Sequence, residues 1–411
     1  MRAPVPLIAS FCLALVLSLL GFMAPAAVLG DIMRDWSLSN TQAGWLGGAL
    51  FAGYIAAVPV LTAYTDRIDP KRIYLVSAAV AMAGNMGFGF LADGLWSGAL
   101  FRVLTGIGLA GTYMPGLKAL TDQLPAGRMQ QRGATYYTSV FALGSGLSIL
   151  AGGVAADLAD WRLAFALAGM GSAAAFAIVS LVLPAKAPAP VDRSGPAALD
   201  FRPVLRDAAV MGYILSFLGT AWEVFASRIW LVSFFVFLQA GLPLGAGGGA
   251  GGGAGGWSPS LLATAVALAG VPAAMIVGEM SLRFDRRHLL VCIAAVSALL
   301  AVAIGWTVNV DYDLSIALCI LFGVVSYGRT SATTAGTIAS ADPRRRGAAL
   351  AVQAFIGFSG GILGPVAFGI ALDAAGGGAI SAAWSTAMAV MAIGPLLSLS
   401  ALLLLGRRGR P

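Results

Sequence analysis

Apolar residues in this chain come in long runs broken by short polar stretches, and no run shows the strict alternation of a half-buried strand. Twelve runs are visible, at 7–30, 41–64, 73–92, 96–117, 134–156, 162–183, 208–238, 259–281, 289–309, 313–336, 348–373 and 381–405. Each is about 20 residues or longer, the length a helix rising ~1.5 Å per residue needs to cross a bilayer. Lipid offers the backbone no hydrogen-bond partner, so a spanning segment must satisfy itself as a helix or close into a barrel. Barrel strands are shorter and alternate in polarity. The pattern therefore predicts an all-α membrane protein of twelve transmembrane helices. Six runs lie on each side of Pro184 to Arg206, a stretch rich in Pro, Ala and basic residues that reads as a linker. The expected organisation is a six-helix bundle over 1–183, a cytoplasmic linker over 184–207 and a second six-helix bundle over 208–411.

Composition agrees. Hydrophobic residues make up 59% of 411 positions and charged residues 10%, against roughly 25% charged in a soluble domain. The formal charge of +7 raises the question of nucleic acid, and the placement of the basic residues excludes it. Twenty of the 25 Lys and Arg fall in the termini and in loops that follow an even number of runs, including Arg67, Lys71 and Arg72, Arg283 to Arg287, and Arg344 to Arg346. The positive-inside rule then places both termini and the linker in the cytoplasm of a cell whose inner (plasma) membrane the chain spans, with the Gly-rich run 245–256 outside. The first run looks superficially like a secretory signal, but it continues to Leu29, and its removal would invert the charge pattern. Cys12, Cys292 and Cys319 lie within apolar runs and imply no disulfide framework.

The halves echo each other. Asp66-Arg67-Ile68-Asp69-Pro70-Lys71-Arg72 follows the second run, and Arg283-Phe284-Asp285-Arg286-Arg287 follows the eighth; the fifth run of each half is Gly-rich, at Gly144 to Gly153 and Gly357 to Gly369. Such repeats suit a central cleft between two bundles that open alternately to either side. On these residues the whole chain resembles the major facilitator superfamily. Asp66, Arg67, Lys71 and Arg72 resemble that family's gate motif between helices two and three, with Asp69 and Thr62 in place of its usual glycines. The resemblance implies that Asp66 engages the neighbouring bundle around Gly347. Arg102 to Gly108 resembles the helix-four motif, whose Arg is tied to proton transfer or to organising the helix interface. The helix-five antiporter motif keeps Gly144, Gly152 and Gly153 but has Ser148-Ile149 where Gly-Pro is typical. Trp222 to Phe225 with Arg228 and Trp230 faintly resembles cyanate and nitrate permeases, without the arginine pair of nitrate carriers.

Ionisable groups inside a membrane cost several kcal/mol and call for an explanation. Glu223 is the one acidic residue near the middle of a run. Tyr213, Ser216, Thr220, Glu223 and Ser227 share one face, within an arc of about 80° at ~100° per residue, whereas Arg228 points about 140° away. Glu223 should therefore have a partner other than Arg228. A second polar stripe, Ser326, Thr330, Thr333 and Thr337, has Arg329 at its edge, and the resemblance implies that helices one, four, seven and ten line the cavity. The candidates for substrate or coupling contact are Glu223, Arg102, Arg329, Arg228, Tyr213 and Thr220; each also has a structural reading, as an interhelical hydrogen bond, a packing contact or a snorkelling cation.

The expected function is secondary active transport of a small anionic solute by alternating access, as a proton symporter through Glu223, with the chain acting as a monomer. An exporter of drugs or metabolites is the alternative, followed by a transporter-like membrane scaffold or sensor. An enzyme is not expected, because the lone His, three scattered Cys and lack of paired carboxylates supply no catalytic group. No cofactor or metal is implied, and no ATP-binding motif is present. The topology is testable by cysteine labelling in cells: a cysteine placed within 184–206 should react only with membrane-permeant reagents, and labelling from outside would overturn the six-plus-six reading.

Overall fold

The computed structural model describes residues 4–65, 67–125, 127–184, 201–241 and 257–405. The linker residues 185–200, the Gly-rich 242–256 and Asp66 lie outside the described residues. The fold is all-α, as the runs predict, and among the described residues there is no strand. The helices are α1 (Pro4–Ser18), α2 (Asn40–Tyr64), α3 (Pro70–Phe90), α4 (Leu95–Thr121), α5 (Arg128–Leu158), α6 (Trp161–Val182), α7 (Ala208–Ala240), α8 (Pro259–Arg283), α9 (Arg286–Thr307), α10 (Tyr312–Ser340), α11 (Arg346–Ala374) and α12 (Ser381–Leu405). Ten of these, all but α1 and α4, are long and apolar enough to cross a membrane by length and composition.

Five acidic residues outside the apolar centres share a task. Asp69 accepts from Lys71 N at the start of α3, Asp160 from Arg162 N at α6, Asp207 from Ala209 N at α7, Asp285 from His288 N at α9 and Asp311 from Leu314 N at α10, over 2.7–3.0 Å. A carboxylate there satisfies a backbone donor that has no intrahelical partner and sits favourably on the helix dipole. This explains the sequence echo: Asp69 and Asp285 cap α3 and α9, the equivalent third helices of the two halves. Asp69, standing where the gate motif usually has glycine, fills this position with Pro70 at N1, where a missing N–H costs nothing.

One expected helix is broken. The run 7–30 stops at Ser18 and resumes as short turns at Ala24–Ala27 and Leu29–Asp35. Pro25 lacks an N–H and cannot donate to the carbonyl four residues back, which belongs to Gly21. In α11, a π-helical turn at Gln353–Gly357 interrupts the α-helical pattern.

The chain divides into two compact units, one of residues 1–37 with 49–191 and one of 38–48 with 192–411. In the first, α3 packs on α4 and α6, and α1 on α5 and α6; in the second, α9 packs on α10 and α12, and α7 on α11 and α12. The repeat of motifs is thus matched by a repeat of packing. The start of α2 belongs to the second unit, where Asp373 of α11 caps it, accepting from Asn40 N (3.1 Å), Asn40 Nδ2 (2.7 Å), Thr41 N (2.8 Å) and Thr41 Oγ1 (2.6 Å).

Helix α7 is the most buried element, and glycines admit its neighbours. A methyl group on Gly219 would run into the Gly394 carbonyl of α12, and one on Gly360 or Gly364 of α11 would meet the α7 backbone at Leu218 or Trp222. Small residues permit this approach where lipid supplies no hydrophobic drive for association. Gly219→Ala should destabilise the protein by about 1–3 kcal/mol through overpacking against backbone, read as a lower unfolding temperature in detergent; an unchanged midpoint would show that α12 yields.

Candidate functional site

The polar stripe of α7 does not act as one surface. Thr220 Oγ1 donates to Ser216 O (2.9 Å), and Ser227 Oγ donates to Val224 O (3.0 Å). On α10, Ser326, Thr330, Thr333 and Thr337 likewise donate to carbonyls of their own helix. Back-bonding of this kind satisfies a hydroxyl locally in an apolar setting. Tyr213 is half-buried against Gly336 of α10, where it packs on the Leu290, Ala332 and Leu402 cluster. Thr220 and Tyr213, both candidates from the sequence, thus stand apart from the charged group.

Glu223 and Arg329 are brought together. Arg329 Nη2 forms an ion pair with Glu223 Oε1, and both side chains are almost fully excluded from solvent, at 1% and 0% exposure. Ser297 of α9 donates to the other carboxylate oxygen, Oε2, at 2.7 Å. Helices α7, α9 and α10 therefore converge on one carboxylate. Two guanidinium nitrogens of Arg329, Nε and Nη1, have no acceptor among the described residues. Ser297 escaped the sequence reading because it is one of many serines in apolar runs; the signal that would have found it is its position in the middle of α9, the helix following the Asp285 cap. Arg228 is turned to α10 by a different route, its guanidinium lying 4.7 Å from the centre of the Tyr327 ring, in agreement with the angular separation from Glu223. A small pocket in this unit, lined by Ser227, Trp230, Phe322 and Met388 among others, is walled by apolar atoms.

Arg102 serves the broken first helix. Its Nη1 donates to Gly21 O (2.7 Å) and its Nη2 to Phe22 O (2.9 Å). The Gly21 carbonyl is the one that Pro25 leaves without a helical partner. Ser148 of α5 completes the repair, accepting from Met23 N (3.0 Å) and donating to Leu20 O (2.6 Å). The Ser that replaces Gly-Pro in the antiporter motif thus acts as a two-way hydrogen-bonding group. In the gate motif, Arg67 and Arg72 are exposed, whereas Lys71 Nζ donates to Ser180 O (2.8 Å) and Leu183 O at the end of α6, where a cation suits the helix dipole.

Among the described residues, ten helices long and apolar enough to cross a membrane, packed in repeated halves of which one holds a buried ion pair, define a polytopic membrane protein of the transporter class. The profile of the Major Facilitator Superfamily matches residues 8–365, and the chain belongs to that family. It is similar to an MFS-type efflux pump of Mycolicibacterium smegmatis, 27% identical over 370 residues covering 85% of this chain and 80% of that protein. It is also 27% identical over 134 residues to a probable sphingolipid transporter, spinster homolog 2, of Arabidopsis thaliana; the match covers 33% of this chain and spans only 27% of that relative. In fold it resembles the crystal structure of a bacterial homolog to the human lysosomal transporter Spinster in an inward-facing and unoccupied conformation, with a TM-score of 0.79 at 17% identity, covering 100% of this chain and 98% of the other. The family and these neighbours are transporters and not enzymes.

A buried pair stripped of one partner leaves an uncompensated charge, at a cost of about 3–5 kcal/mol. Arg329→Ala should therefore reduce folded protein sharply, and adding Glu223→Ala should restore much of it, as fluorescence size-exclusion profiles would reveal. Equal loss in the single and double variants would show that the two side chains are not energetically coupled.

Proposed function

We propose that the chain is a secondary active transporter that moves a small anionic solute together with a proton, with Arg329 contacting the anion and Glu223 carrying the proton. The observation that carries this reading is the incomplete pairing of Arg329: a buried guanidinium held by a single carboxylate, with Nε and Nη1 unmatched among the described residues. Planar guanidinium groups recognise carboxylate-like anions through charge-assisted, geometrically matched hydrogen bonds. An arriving anion competes with Glu223 for Arg329. Released from the cation in a dry environment, Glu223 is favoured as its neutral acid, so solute binding and proton uptake proceed together, and gradient energy replaces ATP. Alternating access between the two six-helix halves, 1–183 and 208–411, then carries both across the plasma membrane of a chain acting as a monomer with cytoplasmic termini. Asp66 keeps the gate role that its motif implies, and Arg102 is assigned to organising the first helix.

Export of drugs or metabolites is a second reading, favoured by the similarity to the mycobacterial efflux pump over most of both chains. Direction and solute are separable by uptake of labelled small carboxylates, inorganic anions and cationic dyes into proteoliposomes under an imposed pH gradient.

Glu223→Gln retains shape and hydrogen-bonding capacity but cannot titrate. In protein of normal abundance it should abolish accumulation driven by a pH gradient while sparing solute exchange at equal pH. Full gradient-driven accumulation by this variant would end the coupling role and leave Glu223 an interhelical brace.

A further inference from the structure

We infer that Ser297 is a positioning residue for Glu223, holding the carboxylate on Arg329 when it is charged and partnering the acid when it is protonated; this rests on the coupling role proposed for Glu223. Many helical hydroxyls in this unit bond back into their own helix, such as Thr220 to Ser216 O (2.9 Å), Thr333 to Arg329 O (2.7 Å) and Thr337 to Thr333 O (3.3 Å), and serines that cross to another helix, such as Ser331, Ser385 and Ser398, reach backbone carbonyls. Ser297, with no solvent exposure, instead donates across to α7, to Glu223 Oε2 at 2.7 Å. That bond fixes which oxygen remains for Arg329, namely Oε1.

The two partners of Glu223 differ in what they can do after proton uptake. A guanidinium only donates, so it cannot accept from the new acid O–H and loses its ionic attraction; a serine hydroxyl both donates and accepts. When the proton adds to Glu223, the new O–H can donate to Ser297 Oγ, and the serine hydrogen can turn to a carbonyl of α9 three or four residues back, as helical serines do. The proton leaves by the reverse exchange, and no other bond is made or broken. Ser297 is thus the partner that serves both charge states of a carboxyl group buried away from water. Other charged groups of the packed helices are committed elsewhere: Arg228 of α7 to the Tyr327 ring, Arg286 and Arg287 of α9 to carbonyls of α10 and α12, and Asp373 of α11 to Asn40 and Thr41. Arg346 stands at the far end of α11, Glu279 of α8 pairs with Arg283 on an exposed face, and α12 contributes Ser398, bonded to Ser216 O.

Infrared difference spectroscopy of the purified protein in liposomes on acidification tests this without a known solute. A carboxylic-acid carbonyl band should appear in the wild type and be missing in Glu223→Gln. In Ser297→Ala the band should move to higher wavenumber, because the acid has lost its hydrogen-bond partner. Ser297→Thr, which keeps the hydroxyl, should leave it within the wild-type position, and both Ser297 variants should unfold within a few degrees of the wild type. A band in Ser297→Ala at the wild-type position, with the Glu223→Gln assignment holding, would overturn the role of Ser297 alone. A band that survives Glu223→Gln would show that Glu223 takes no proton, overturning the coupling reading and the inference together.

Discussion

A charge in the middle of an apolar helix must be met inside the protein, because neither lipid nor water is there to meet it. Moving a carboxylate or guanidinium out of water costs several kcal/mol even after relaxation, and their attraction offsets this only when geometry and hydrogen bonding are good. The second half of the chain is arranged around that demand. Helix α7 brings Glu223, α10 brings Arg329 and α9 brings Ser297, while glycines at the crossings with α11 and α12 let α7 sit close enough to its neighbours to be the most buried helix. Thr220 and Thr333, on the helices of the pair, bond into their own helices and so add no unmet hydroxyl of their own.

The same demand governs the backbone of the first half. Pro25 forces the first helix to break, which frees the Gly21 carbonyl inside a hydrophobic setting. A buried carbonyl without a partner costs about 1–3 kcal/mol. Arg102 and Ser148 each take two groups at the break, so four backbone atoms between Leu20 and Met23 are satisfied by two side chains. Each half therefore contains a buried arginine, answered differently. Uncharged carbonyls accept from Arg102, and a carboxylate that can titrate pairs with Arg329. That asymmetry is why the proposed chemistry of proton coupling falls on the second half, although membership of the Major Facilitator Superfamily covers both.

Loop acids illustrate how one residue type divides by depth. At the helix starts, Asp69, Asp160, Asp207, Asp285 and Asp311 accept from backbone N–H groups, and Asp373 does so for a helix far away in sequence. Glu223, buried in mid-helix, is instead met by side chains, Arg329 and Ser297.

The sequence by itself determined the number and type of helices, since hydrophobic length and the absence of alternation depend on neither partner nor packing. It also determined that Glu223 and Arg228 cannot be partners, because residues five apart on a helix face different ways. The pairing of Glu223 with Arg329 was beyond it: the two are 106 positions apart, and nothing local sets the rotation of α7 against α10. Ser297 was hidden for the same reason, as a serine's role depends on whether its hydroxyl turns inward to its own helix or across to another. The break in the first helix is an intermediate case. The apolar run predicts one helix over 7–30; whether a proline such as Pro25 kinks a membrane helix or interrupts it depends on whether other helices can satisfy the freed backbone, and only the placement of Arg102 and Ser148 in the tertiary structure decided that.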